Sequence, residues 1–157
     1  MKIRKRRLQL FILFFVTCSL LFHFPSDFEA FAATSDGTVD STVEIDDDTT
    51  NGPDLDNIDQ FGHSVANIGD LDGDGVNDLV VGAFSDNGSA EQQAINYGNI
   101  HILFLNRDGS LARSTVEVRD DTTNGPTLSA DDAFGSSIAN MGDLDGNGYD
   151  DLAVGAT

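Results

Sequence analysis

Asp70, Asp72 and Asp74 alternate along a short loop that closes on Asp78, with Gly75 and Val76 between. The carboxylates fall at positions 1, 3, 5 and 9 of that loop. Calcium takes about six to eight hard oxygens in a flexible shell, and a loop curling round an ion presents alternate side chains to it. Gly75 stands at position 6, where the chain must turn sharply, and the Val76 carbonyl follows at position 7 as a further oxygen. Four carboxylates gathered without a cation would repel one another. Asp, Asn and Gly are also ordinary turn residues, so a single copy reads equally well as a solvated turn. A second copy decides for metal: Asp143, Asp145, Asn147 and Asp151, with the Tyr149 carbonyl, repeat the spacing. Position 12 is Val81 or Val154, where an EF-hand needs a bidentate Glu, and no helical pattern comes after it.

The loops belong to a longer repeat. Ser41 to Phe84 recurs at Ser114 to Thr157, an offset of 73 positions, with 29 of 44 residues identical. A fixed period of this size means that each unit buries its apolar face against stacked neighbours. The second copy stops at the residue matching Phe84, so the expectation is an array incomplete at both ends. Within one unit the apolar runs are short and bounded by turn residues, which predicts strands at Ser64–Ile68, Asp78–Ala83, Asn99–Leu105 and Ser114–Val118. Four strands in about 70 residues make one blade of a β-propeller. Leu79–Val81 and Ile100–Leu105 are apolar at consecutive positions, so both of their faces must be covered, as between packed blades. Ser41–Ile45 is the equivalent of the outer strand, displaced by one unit. The fold class expected is all-β, in blades of four antiparallel strands.

Residues 1–33 are of another kind. A cationic start (Lys2, Arg4 to Arg7) precedes the apolar run Leu8–Phe24, and Ala30-Phe31-Ala32 offers a cleavage box, the order of a secretory signal peptide. An uncleaved membrane anchor is the alternative. Cleavage predicts a secreted or cell-surface protein with no stable membrane insertion. The sole cysteine, Cys18, lies in this segment, so no disulfide can staple residues 34–157. The layout expected is 1–33 leader, 34–60 outer strand and lead-in loop, 61–133 a complete repeat, and 134–157 a truncated one. Over residues 34–157 three arginines stand against 25 acids, a formal charge of −22. That field repels nucleic acid and attracts cations.

The run Phe61-Gly62, the acidic loop, then Val81-Gly82-Ala83, with its copy Phe134-Gly135 to Val154-Gly155-Ala156, resembles the FG-GAP repeat of integrin alpha-subunit propellers and of secreted bacterial repeat proteins. The resemblance covers nearly everything after residue 40. It implies a seven-bladed propeller, which at this period needs about 510 residues. It also implies calcium in the hairpin loop between the first two strands of a blade, and adhesion or ligand-binding roles. Its calcium ligands correspond to Asp70, Asp72, Asp74, Val76 and Asp78, and to Asp143, Asp145, Asn147, Tyr149 and Asp151. The family's Gly-Ala-Pro reads Gly-Ala-Phe84 and Gly-Ala-Thr157 here, a departure in the turn after the second strand. No catalytic constellation recurs: His63 becomes Ser136, no HExxH is present, and His101 on its apolar strand reads as a packed histidine. The function expected is an exported, calcium-binding propeller module for adhesion or for a protein or glycan ligand, without enzymatic activity of its own. Two alternatives stay open: a non-catalytic propeller domain of a larger secreted hydrolase or lyase, and a structural cell-surface array.

Overall fold

Alternation along Asp78–Ala83 sends Leu79, Val81 and Ala83 to one side of a strand and Val80 to the other, and both sides are covered. The computed structural model describes residues 28–33, 36–87 and 96–157. The strands are β1 (Phe28–Ala33), β2 (Val39–Ile45), β3 (Phe61–Gly69), β4 (Asp78–Ala83), β5 (Asn99–Leu103), β6 (Val116–Val118), β7 (Ser137–Gly142) and β8 (Asp151–Gly155). Among the described residues there is no helix, and so none long and apolar enough to cross a membrane. β3 to β6 form one antiparallel meander in chain order, a propeller blade, and β7–β8 begin the same arrangement again. Ser64 faces Gly82 in the first hairpin as Ser137 faces Gly155 in the second.

Two cores flank the blade. Ile45, Phe61, Val81, Ala83, Leu103, Leu105 and Leu111 pack on the side of β2. Ile68, Val80, Ile100 and Phe134 pack on the other, with Ile138, Leu152 and Val154 of the β7–β8 hairpin against them. Consecutive apolar residues in β4 and β5 thus supply two interfaces at once, which is why these strands read as unbroken apolar runs. Phe61 and Phe134, equivalent in the repeat, fill different cores.

The hairpins meet through backbone at very short range. Ser64 Oγ donates to the Gly135 carbonyl at 2.6 Å, and Asn140 Nδ2 donates to the Asn67 carbonyl at 2.7 Å. A Cβ at Gly82 would collide with the Gly135 carbonyl oxygen and Ser64 Oγ. Gly135 itself has φ 87°, which side chains rarely adopt, and leans on the Asn99 carbonyl.

Beyond the longer β2 and β3 (Val39–Ile45 and Phe61–Gly69, against the expected Ser41–Ile45 and Ser64–Ile68), the structure departs from expectation in three places. β5 ends at Leu103 rather than Leu105, because the Leu105 N–H donates to the Asp78 carboxylate (3.0 Å) and Leu105 then bridges only to Leu111. β6 begins at Val116 rather than Ser114, because the Thr115 N–H donates to the Asn51 carbonyl at 3.2 Å. The third lies in the segment expected to be a leader. Residues 1–27 fall outside the described residues, but 28–33 form β1, antiparallel to β2 with Phe28 opposite Ile45. Residues 30–33 read in sequence only as a cleavage box; the free edge of β2 takes up this Phe- and Ala-rich stretch as a pairing partner.

The glycine contact yields a test with an internal control. Gly155, the counterpart of Gly82, would meet chiefly the Ser137 hydroxyl, a side chain able to rotate away. Gly82→Ala should lower unfolding free energy by about 1–3 kcal/mol in urea melts, with Gly155→Ala clearly milder. Equal losses would refute a rigid backbone contact between the hairpins.

Candidate metal centre

Each acidic loop starts from a bulge. The register of β3 against β4 shifts between Asn67 and Gly69, and that of β7 against β8 between Asn140 and Gly142. Gly69 (φ 77°) and Gly142 (φ 70°) take the left-handed conformation that lets the strand leave the sheet. Asn67 Oδ1 and Asn140 Oδ1 accept from the N–H of those glycines, at 2.7 and 2.6 Å.

The first aspartate then organises the curl. Asp70 accepts from the N–H groups of Gly73 (2.8 Å), Asp74 (3.0 Å) and Gly75 (2.8 Å). Asp143 accepts in the same way from Gly146 (2.8 Å), Asn147 (3.0 Å) and Gly148 (2.9 Å). The last aspartate anchors the curl to the blade. Asp78 is fully buried; its Oδ2 accepts from Leu71 N–H at 2.9 Å and its Oδ1 from Leu105 N–H at 3.0 Å. Asp151 accepts from Leu144 N–H at 2.8 Å.

The outcome is a set of converging carboxylates in each loop. Ligand oxygens of Asp70, Asp72 and Asp78 all lie within 4.8 Å of one another, and so do those of Asp143, Asp145 and Asp151. Asp74 stands outside the first group; it and its counterpart Asn147 accept from the N–H of Val76 (2.7 Å) and Tyr149 (2.8 Å). Val76 is half-buried against the β2-side core, while Tyr149 is exposed. The donors are carboxylate oxygens, the hard set that calcium and magnesium prefer. The two loops differ in surroundings. Arg113 Nε lies 3.7 Å from Asp72 Oδ2, with its guanidinium 3.5 Å above the Phe104 ring, and Arg107 lies against Gly75. In the second loop Asn140 Nδ2 donates to Asp150 Oδ2 at 2.7 Å.

Sequence reasoning missed a different group. His101, read as a packed histidine, is 2% exposed, yet it lies with Asp86 and Glu117 in a cluster whose ligand atoms fall within 4.8 Å. Burial and the neighbouring Asp86 push the adjacent Asp59 carboxyl up to about 7. The one available signal was register: His101 sits opposite Glu117 once β5 and β6 are paired.

Residues 61–95 and 134–157 match the FG-GAP repeat. The chain is similar to integrin alpha-PS5 of Drosophila melanogaster, 34% identical over 98 residues, which are 62% of this chain and 9% of that protein. It is similar to integrin alpha pat-2 of Caenorhabditis briggsae, 37% identical over 97 residues, 62% of this chain and 7% of the relative. Against integrin alpha-IIb of Homo sapiens the identity is 38% over 97 residues, 62% of this chain and 8% of the relative. The chain thus spans less than a tenth of the length of these relatives.

Asp78 and Asp72 are separable by experiment. Asp78→Asn replaces one of two accepting oxygens by a donor, so it should cost about 1.5–3 kcal/mol even with chelator present. Asp72 accepts only from Asp74 N–H at 3.3 Å and lies near Arg113, so Asp72→Asn should change chelated stability by under about 0.5 kcal/mol. Urea melts in chelator check both; equal losses would remove the distinction between anchor and open ligand.

Proposed function

We propose that this FG-GAP repeat chain is part of a calcium-stabilised β-propeller, exported to the cell surface or beyond, that binds a protein or glycan partner without turning it over. The carrying observation is the duplicated loop: two copies, 73 positions apart, gather the same three aspartates through the same backbone hydrogen bonds. Duplication of a purely solvated turn gives no reason for three carboxylates to converge against their own repulsion.

The proposed ligands are Asp70, Asp72, Asp74, Asp78 and the Val76 carbonyl, then Asp143, Asp145, Asn147, Asp151 and the Tyr149 carbonyl. Asp74 and Asn147 would join by turning from the N–H groups they now cap. The ion would neutralise loops that no disulfide restrains. Such a metal holds a surface in shape, whereas a catalytic one keeps an open position beside a general base. Similarity to integrin alpha chains supports a recognition role, and the seven-bladed ring is proposed on the same ground. The net negative field favours a basic or neutral partner, or one bridged through calcium, over a polyanion.

Calcium about a hundredfold above its Kd should raise the melting temperature by about 5 °C or more, and chelator should reverse the rise. Asp72→Asn and Asp145→Asn together should abolish the response. The whole protein, screened on glycan and cell-surface protein arrays, should be retained only with calcium and release no product. Absence of a calcium shift defeats the metal reading; turnover by the propeller alone defeats the binding reading.

A further inference from the structure

The group at Asp86, His101 and Glu117 lies away from the acidic loops and has a different chemistry. His101 and Asn99 share one face of β5, and Glu117 of β6 is directly opposite His101. Asp86 comes after β4 and is held by its N–H to the Ala83 carbonyl (3.0 Å), while its carbonyl accepts from Gly98 N–H (3.1 Å). Asp59 comes down beside it, and its carbonyl accepts from Ser85 N–H at 3.2 Å. A cleft of about 130 Å³, lined by Asp56, Asp59, Asp86, Glu117 and Arg119 among others, leads to the group from solvent.

Of the two nitrogens of the buried His101 ring, only Nε2 has a polar partner, and that contact is long. Nδ1 is buried without a partner among the described residues, and the ring makes an edge contact with Phe61 at 5.3 Å. Nε2 stands 3.4 Å from Asp86 Oδ2, well beyond the roughly 2.7–2.9 Å of a charge-assisted hydrogen bond. Two donors on one tetrahedral ion with bonds of about 2.0–2.1 Å stand about 3.3–3.4 Å apart. The separation is that of a long hydrogen bond and equally that of two ligands on one ion. Glu117 is oriented by Asn99 Nδ2, which donates to its Oε1, a supporting contact of the kind that fixes metal ligands.

Charge points the same way. Asp59, Asp86 and Glu117 bring three carboxylates together, with Arg119 Nη1 at 3.4 Å from Glu117 the one nearby guanidinium among the described residues. A divalent ion would relieve that repulsion.

We infer that Asp86, His101 and Glu117 form a second metal site, taking a zinc-type divalent ion through His101 Nε2 and two carboxylates. Imidazole with carboxylate selects zinc and its neighbours, whereas calcium prefers oxygen alone. The site is independent of the calcium reading, because it shares no ligand with either acidic loop.

The test is competition titration of zinc against a chromophoric chelator, on the full chain in millimolar calcium. One zinc should bind in a form that calcium does not displace. His101→Gln and Glu117→Gln should each weaken it at least about tenfold, while His63→Gln, at the histidine in edge contact with Phe84, should leave it unchanged. Cobalt in place of zinc should give the intense visible bands of a tetrahedral site, lost in His101→Gln. Should either variant fail to fold, long-range nitrogen–proton NMR of the unmodified chain decides: zinc should shift the His101 ring nitrogens and leave His63 in place. Unmoved His101 signals at stoichiometric zinc, unchanged affinity in folded His101→Gln, or displacement by calcium would each overturn the proposal.

Discussion

Asp78 has no exposed surface, and its two oxygens accept from backbone groups of different origin, Leu71 in the acidic loop and Leu105 beyond β5. A buried ionised carboxylate is tolerable only when its acceptors are satisfied, so the loop cannot detach without leaving an unpaired charge inside the blade. The same interaction ends β5 and sets up the Leu105–Leu111 bridge around the turn Asn106–Gly109. Loop shape, strand length and the packing of Leu111 therefore rest on one side chain.

Around that anchor the arginines are placed sparingly. Among the described residues Arg107 and Arg113 lie at the first acidic loop and Arg119 bridges Glu117 and Asp121. Exposed pairs of this sort contribute little each, so they temper the negative field locally rather than hold the fold. The stability of the blade comes from the two apolar interfaces of β4 and β5.

What was legible in the sequence was whatever is periodic or local. The apolar run between turn residues set the bounds of β4, and the aspartate spacing marked both loops, because their carboxylates are written close together in the chain. Strand ends were harder: Leu105 and Thr115 leave their ladders for partners at Asp78 and Asn51, contacts between distant positions. The cluster around His101 was invisible for the same reason. Asp59, Asp86, His101 and Glu117 are scattered over the repeat, and only the pairing of β5 with β6 and the return after β4 bring them together. β1 escaped notice because a cleavage box and an edge strand draw on the same small and apolar residues.

The near-contact of Gly82 with the Gly135 carbonyl has a consequence for how such chains lengthen. Each 73-residue unit carries both halves of the joint: the bare glycine of its second strand, and the Phe-Gly entrance against which the preceding unit's glycine rests. A unit copied whole arrives with a matching socket and plug, so duplication creates a correctly spaced junction without further change. A copied length that is not a whole number of units would put plug and socket out of step. The joint thereby fixes the grain at which genes of this kind can be extended or recombined, and leaves the loops between joints free to diverge.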